Sequence, residues 1–137
     1  MTKRTLTIEL PWPNRALSPN GRIDRFSKAR IFKSTKMQAF IVTKTALKGQ
    51  SVRLLAGTTM NLRLCPIPPI LRYRDEDNLI ANCKSYFDGI AEALNVNDHL
   101  FHFREQVWHP DEAPGKLLIE LDWEEPNLSL IHISEPT

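Results

Sequence analysis

From Asn78 to Leu94 the apolar residues Leu79, Cys83, Tyr86 or Phe87, Ile90 and Leu94 recur at helical spacing, which defines one long helix with one side to bury. Asp77 reads as its N-cap, and Asn95 as a closing residue able to take the left-handed conformation. Such a helix needs a sheet or another helix against its apolar side, and the flanking segments provide both. Thr58 to Cys65 alternates, with Met60, Leu62 and Leu64 on one side and Asn61 and Arg63 on the other. Pro66-Ile67-Pro68-Pro69 ends that strand, because proline cannot donate to a ladder. Thr5 to Leu10 alternates through Leu6, Ile8 and Leu10 and stops at Pro11-Trp12-Pro13. Ser27 to Lys48 reads as a second helix, with Phe32, Met37, Phe40, Ile41 and Leu47 near one face and Gly49 just past its end. Leu100 to His109 and Gly115 to Trp123 are strand-like runs that predict a hairpin. The order β-α-β-α-β-β predicts an α/β (α+β) fold: a single small domain with a mixed sheet of about four strands and two main helices packed on it.

A chain of 137 residues, 42% of them hydrophobic, has room for one core and is too short for two domains. No apolar run approaches the roughly 20 residues of a membrane span, and no signal-peptide core precedes the first strand, so a cytoplasmic protein without a membrane partner is expected. Cys65 and Cys83 lie in apolar segments without CxxC spacing and read as buried, reduced thiols. Gly57 and Gly89 stand apart, so no glycine-rich phosphate loop exists and no nucleotide cofactor is expected. His99, His102 and His109 have no cysteine partner nearby and read as exposed or structural in preference to a zinc site. Trp12, Trp108 and Trp123 read as packing residues in preference to base-stacking platforms.

The net charge of +2 conceals a division. Residues 1 to 60 hold 12 Lys and Arg against Glu9 and Asp24, so 12 − 2 gives +10, and the remaining 6 basic and 14 acidic residues give −8. A basic half suits a phosphate backbone, since each neutralised phosphate releases counterions; the plainer alternative is a solvated helix face. The long loop from Asn14 to Ser27, with turn residues at Ser18-Pro19-Asn20-Gly21, carries Arg15, Arg22 and Arg25. Together with Lys28, Arg30, Lys33 and Lys36 these are the candidate DNA contacts.

At the mouth of the long helix stands Arg74-Asp75-Glu76-Asp77-Asn78. Mg²⁺ is a hard cation that takes oxygen ligands and keeps several waters, so nucleases commonly supply two or three carboxylates and let the scissile phosphate complete the shell. Asp75 and Asp77 fit that use, and equally fit acidic capping of a helix N-terminus. Lys84 lies seven positions after Asp77; 7 × 100° is 700°, about 20° short of two turns, so the two share a face of a continuous helix. A lysine there can offset charge that develops on phosphate, or else form an i,i+4 surface pair with Asp88.

From Thr5 to Trp123 the chain resembles the RusA-like Holliday junction resolvases, small endodeoxyribonucleases frequent in prophages. The likeness lies in the opening strand with Leu10-Pro11-Trp12-Pro13, the basic loop, Arg74-Asp75-Glu76-Asp77-Asn78-Leu79, Lys84-Ser85-Tyr86-Phe87-Asp88 and Asn97-Asp98. It implies a homodimer that uses Mg²⁺, with Mn²⁺ as a possible substitute, to cut branched DNA in recombination and repair. By the same resemblance Asp75, Asp77 and Asp98 are the catalytic, metal-binding carboxylates, Lys84 the catalytic lysine and Arg74 a DNA contact. Three more residues separate Asp77 from the lysine than in the founding member of the family, about one helical turn. A protein that binds branched or duplex DNA without cutting it is the alternative.

An unbroken helix of 17 residues runs about 25 Å, whereas the four steps from Leu94 to Asp98 recover at most about 14 Å. Asp98 is therefore expected to complete the site of a partner subunit in a two-fold dimer. A helix that ends early or kinks would instead return it within its own chain. The native domain is expected to span residues 1–127. Leu128 to Thr137 translates, in frame, the transposon-end adapter of sequencing libraries, and reads as an assembly scar in preference to a natural strand.

Overall fold

The computed structural model describes residues 1–18, 23–71 and 75–126. Its elements are β1 (Thr2–Pro11), α1 (Arg25–Leu47), β2 (Met60–Ile67), α2 (Glu76–Asn82), α3 (Lys84–Leu94), β3 (Phe101–Phe103) and β4 (Lys116–Glu125), with 3-10 turns at Arg15–Leu17 and Asp98–Leu100. The strands form one sheet in the order β1-β4-β2-β3. β4 runs antiparallel to β1 and β2, and β3 runs parallel to β2, which makes the sheet mixed. The expected α+β domain is present.

Alternation along the strands decides which face is covered. Ile8 and Leu10 of β1, Leu117, Ile119, Leu121 and Trp123 of β4, and Met60, Leu62 and Leu64 of β2 are each 2% exposed or less. They form one core with Tyr86, Phe87, Ile90 and Leu94 of α3 and with Ala39 and Leu47 of α1. Gly89 permits the close crossing of α1 and α3: a Cβ there would collide with the Lys36 carbonyl oxygen and sit 3.0 Å from Ala39 Cβ. Across the same crossing the Thr35 hydroxyl donates to Ser85 Oγ at 2.7 Å.

The long helix expected from Asn78 to Leu94 is broken. Cys83, with φ −92° and ψ 5°, separates α2 from α3, and its amide donates to the carbonyls of both Ile80 and Leu79. Two packing demands meet there. α2 buries only Leu79 and lies by the Arg15–Leu17 turn, while α3 is packed against α1. The N-cap is Asp75, not Asp77: extended at φ −143° and ψ 105°, its side chain accepts the amide of Asn78. Asn95 closes α3 in the left-handed region as expected.

Other boundaries shift for similar reasons. α1 starts at Arg25 because the Asp24 carboxylate accepts the Ser27 amide at 2.8 Å, and at its end Lys48 turns left-handed together with Gly49, which follows the helix as expected. Its buried side runs through Ala39, Thr43 and Leu47, so Met37 and Ile41 face outward at 53% and 55% exposure. β2 continues through Pro66 to Ile67. The Pro66 carbonyl accepts from His109, which puts its missing N–H on that side and away from the ladder with β4.

No hairpin joins β3 to β4, which lie on opposite sides of β2. The chain after β3 follows β2 in parallel with bulges. Amides of Arg104, Val107, His109 and Glu112 reach carbonyls of Leu62, Leu64, Pro66 and Pro68 in turn, so three, two and three residues match successive pairs on β2. This accounts for the strand-like pattern of the run from Leu100 to His109.

Candidate metal and DNA site

Asp75 uses one carboxylate oxygen to cap α2, at 3.1 Å from the Asn78 amide. Asp77 follows in the first turn, exposed, and its carboxylate makes no hydrogen bond or ion pair among the described residues. Lys84 opens α3. Its ammonium lies 2.8 Å from Asp88 Oδ1 and 3.4 Å from Asp98 Oδ2. Hydrogen bonding to Asp88, and secondarily to Asp98, raises the lysine pKa, so the ammonium stays charged through the neutral range.

Asp98 begins a 3-10 turn fixed by Asn97, whose side chain accepts the His99 amide at 2.9 Å. Asp98 thus meets Lys84 within its own chain. Among the described residues no three His, Cys, Asp or Glu side chains gather as a closed metal cage requires, and Asp75, Asp77 and Asp98 do not converge on one point.

The basic segment is tied to the acidic motif. Ser18 Oγ donates to Asn78 Oδ1 at 3.1 Å, and Lys28 Nζ donates to the Ser18 carbonyl at 3.2 Å. Sequence reasoning missed this link; the side chain it leans on, Asn78, sits within the motif itself. Arg15 is exposed in the 3-10 turn capped by Asn14, and the Arg25 guanidinium lies 5.6 Å from the Phe26 ring centre. Arg30 and Lys33 are exposed on α1. Two positions apart on a helix is about 200°, so Lys28 and Arg30 leave opposite flanks of α1. Lys36 is engaged elsewhere, in an ion pair with Glu92 of α3 at 3.1 Å. Arg22, Arg74, the turn residues Pro19, Asn20 and Gly21, and the run from Leu128 to Thr137 lie outside the described residues.

The remaining chemical groups have structural surroundings. Both cysteines are free and buried. Burial, reinforced by a 3.1 Å hydrogen bond to Glu120, pushes the Cys65 thiol up to about 12, and burial pushes Cys83 up as well. Neither is a thiolate at neutral pH, which disqualifies both as nucleophiles. His99, His102 and His109 are exposed. Trp12 and Trp108 meet edge to face at 6.2 Å, and Trp123 is buried with its indole N–H on Glu125. No helix among the described residues is long and apolar enough to cross a membrane.

Fold and site define a small α+β protein with a four-stranded mixed sheet and a lysine-bridged pair of carboxylates beside a basic segment. An uncharacterized protein of Xylella fastidiosa is 32% identical over 108 residues, covering 79% of this chain and 67% of the relative. The chain belongs to the same family as that protein. No family model matches the sequence.

Proposed function

We propose that this protein is a Mg²⁺-dependent endodeoxyribonuclease that cuts Holliday junctions or related branched DNA as a homodimer, in the recombination and repair of a bacterial or phage-infected cytoplasm. One observation carries the reading: the Lys84 ammonium stands between Asp88 and Asp98, just beyond the helix that opens with Asp75 and Asp77. The tie from Ser18 to Asn78, which holds an arginine-bearing segment against the same motif, supports it. So does the resemblance of Arg74 to Leu79, Lys84 to Asp88 and Asn97-Asp98 to the RusA-like resolvases.

The donor chemistry suits the ion. Mg²⁺ is usually held by one or two carboxylates, waters and substrate phosphate in preference to a closed protein cage, and Mn²⁺ shares its taste for oxygen. Asp77, with an open carboxylate, and the second oxygen of Asp75 would hold it; Asp98, with its side chain 39% exposed, stands apart from them in this chain and is the third carboxylate by the family resemblance alone. Bound there, the metal supplies Lewis-acid polarisation of the phosphate and a water acidic enough to attack. Lys84 places a fixed positive charge where charge builds on the phosphate oxygens. Arg15, Arg25, Lys28, Arg30 and Lys33, with Arg22 and Arg74, neutralise flanking phosphates.

A second reading has its own support. Asp75 is occupied in capping and Lys84 in an i,i+4 pair, as they would be in a DNA-binding protein without catalysis. Incubating a four-way junction with the protein, with and without Mg²⁺, separates the two. The nuclease cuts only with metal and Asp77→Asn stops it; binding without metal-dependent cutting by wild type leaves the binding protein.

A further inference from the structure

Phosphate contacts grip any duplex, because the backbone is alike at every position, so preference for a branch needs a contact that a stacked duplex does not offer. A concavity of about 400 Å³ opens between α2, α3 and β3, lined by Ile80, Ala81, Phe87, Phe101 and Phe103 and bordered by Lys84 and Asp98. Phe87 and Phe101 are 5% and 8% exposed and belong to the core, whereas Phe103 is 41% exposed. The Phe103 ring leans on Phe87, 5.0 Å between centres and 59° between planes, so an exposed aromatic face rests on a fixed one. Apolar walls with a charged group at one side are the surroundings that suit a nucleobase, which has two flat apolar faces and a polar edge.

We propose that this concavity takes one unstacked base of the branched DNA, its face on Phe103 and its polar edge toward Lys84. The assignment rests on the nuclease reading, since Lys84 and Asp98 belong to both sites and place the base within about a nucleotide of the cut. A base at a branch has the least stacking to lose, so the pocket favours branched over continuous duplex. Size agrees, as small-ligand sites span roughly 300 to 1,000 Å³. A second copy of the chain fits less well: the cores of protein interfaces are depleted in charge, and a Lys–Asp pair borders this hollow.

The test uses the full-length protein bound to junctions that carry 2-aminopurine at successive positions around the branch, with Ca²⁺ replacing Mg²⁺. Wild type raises the fluorescence at one position next to the cut, as loss of base stacking relieves quenching. Phe103→Ala removes that rise and weakens junction binding on the order of tenfold, with duplex binding unchanged; Phe103→Leu, which keeps the bulk without the ring, behaves as the alanine variant does. Metal-dependent cutting with no fluorescence change at any position overturns the pocket and leaves the nuclease standing. A Phe103→Ala protein that turns from dimer to monomer while the fluorescence rise persists assigns the hollow to a second copy and also overturns it. Absence of both binding and cutting removes the nuclease reading and the pocket with it.

Discussion

Lys84 Nζ lies 3.4 Å from the Asp98 carboxylate, although 14 positions separate the two residues. Two local events make the return possible: closure of α3 by the left-handed Asn95 at φ 57°, and the Asn97-capped turn at Asp98–Leu100. The site's lysine therefore draws one carboxylate from its own helix and another from beyond that helix's end.

If Asp77 serves the metal and nothing else, Asp77→Asn lowers junction cleavage at least a hundredfold, leaves junction affinity within about twofold, and changes stability by no more than about 0.5 kcal/mol, as is usual for an exposed position without partners. Cleavage kinetics, gel-shift binding and thermal unfolding read the three effects separately. A variant that cuts at the wild-type rate removes Asp77 from the chemistry.

Mixing Asp75→Asn with Asp98→Asn subunits tests how the site is assembled. Asparagine still caps a helix, so neither fold is disturbed at α2. With Asp98 serving its own chain, every site in the heterodimer lacks one carboxylate and the mixture stays inactive. Recovery of nicking would assign Asp98 to the partner's site.

Gly89→Ala is expected to destabilise the protein by about 2 kcal/mol or more, because the added methyl meets backbone at the Lys36 carbonyl and only a shift of α1 away from α3 makes room. Urea unfolding gives the midpoint and slope that check this. A loss below about 0.5 kcal/mol would mean that the crossing is looser than described.

Glu125 ties three segments together, accepting hydrogen bonds from the Trp123 indole, the Arg53 amide and the Arg4 guanidinium. Burial pushes its carboxyl up, and these donors outweigh burial, leaving it below its ordinary value of 4.5. A carboxylate depressed in the folded state adds stability that is present above its ordinary value and lost as pH falls through the folded one. Thermal midpoints between pH 6 and pH 3 should fall less steeply for Glu125→Gln than for wild type, from a lower starting point. Parallel curves would exclude this contribution.

Strand alternation and helical spacing are short-range signals, and they located the sheet, the core side of each strand and the two helical regions. What they missed depends on contacts distant in sequence. Nothing local to Pro66 says that its missing N–H will face the bulged run after β3, and nothing in the spacing around Cys83 says that α2 and α3 answer to different neighbours. The outward turn of Met37 and Ile41 has the same origin, since α1 uses the small residues Ala39 and Thr43 to approach α3. At the site, Asp75, Asp77, Lys84 and Asp98 were legible as residue types; a role for the lysine at phosphate competed with the i,i+4 pair to Asp88, which the structure contains, and the tie from Ser18 to Asn78 spans 60 positions.

The joint at Cys83 also separates two kinds of tolerance. Ahead of it α2 has one buried residue, so a turn can be added or removed there by lengthening a short, mostly solvated helix. Behind it α3 is locked by Gly89 and Ser85 to a single register against α1. Length variation in front of Cys83 moves the acids relative to the lysine and touches the core only at Leu79. Against drift of the site's spacing by whole turns the fold thus sets little more than Leu79 and the tie from Ser18 to Asn78.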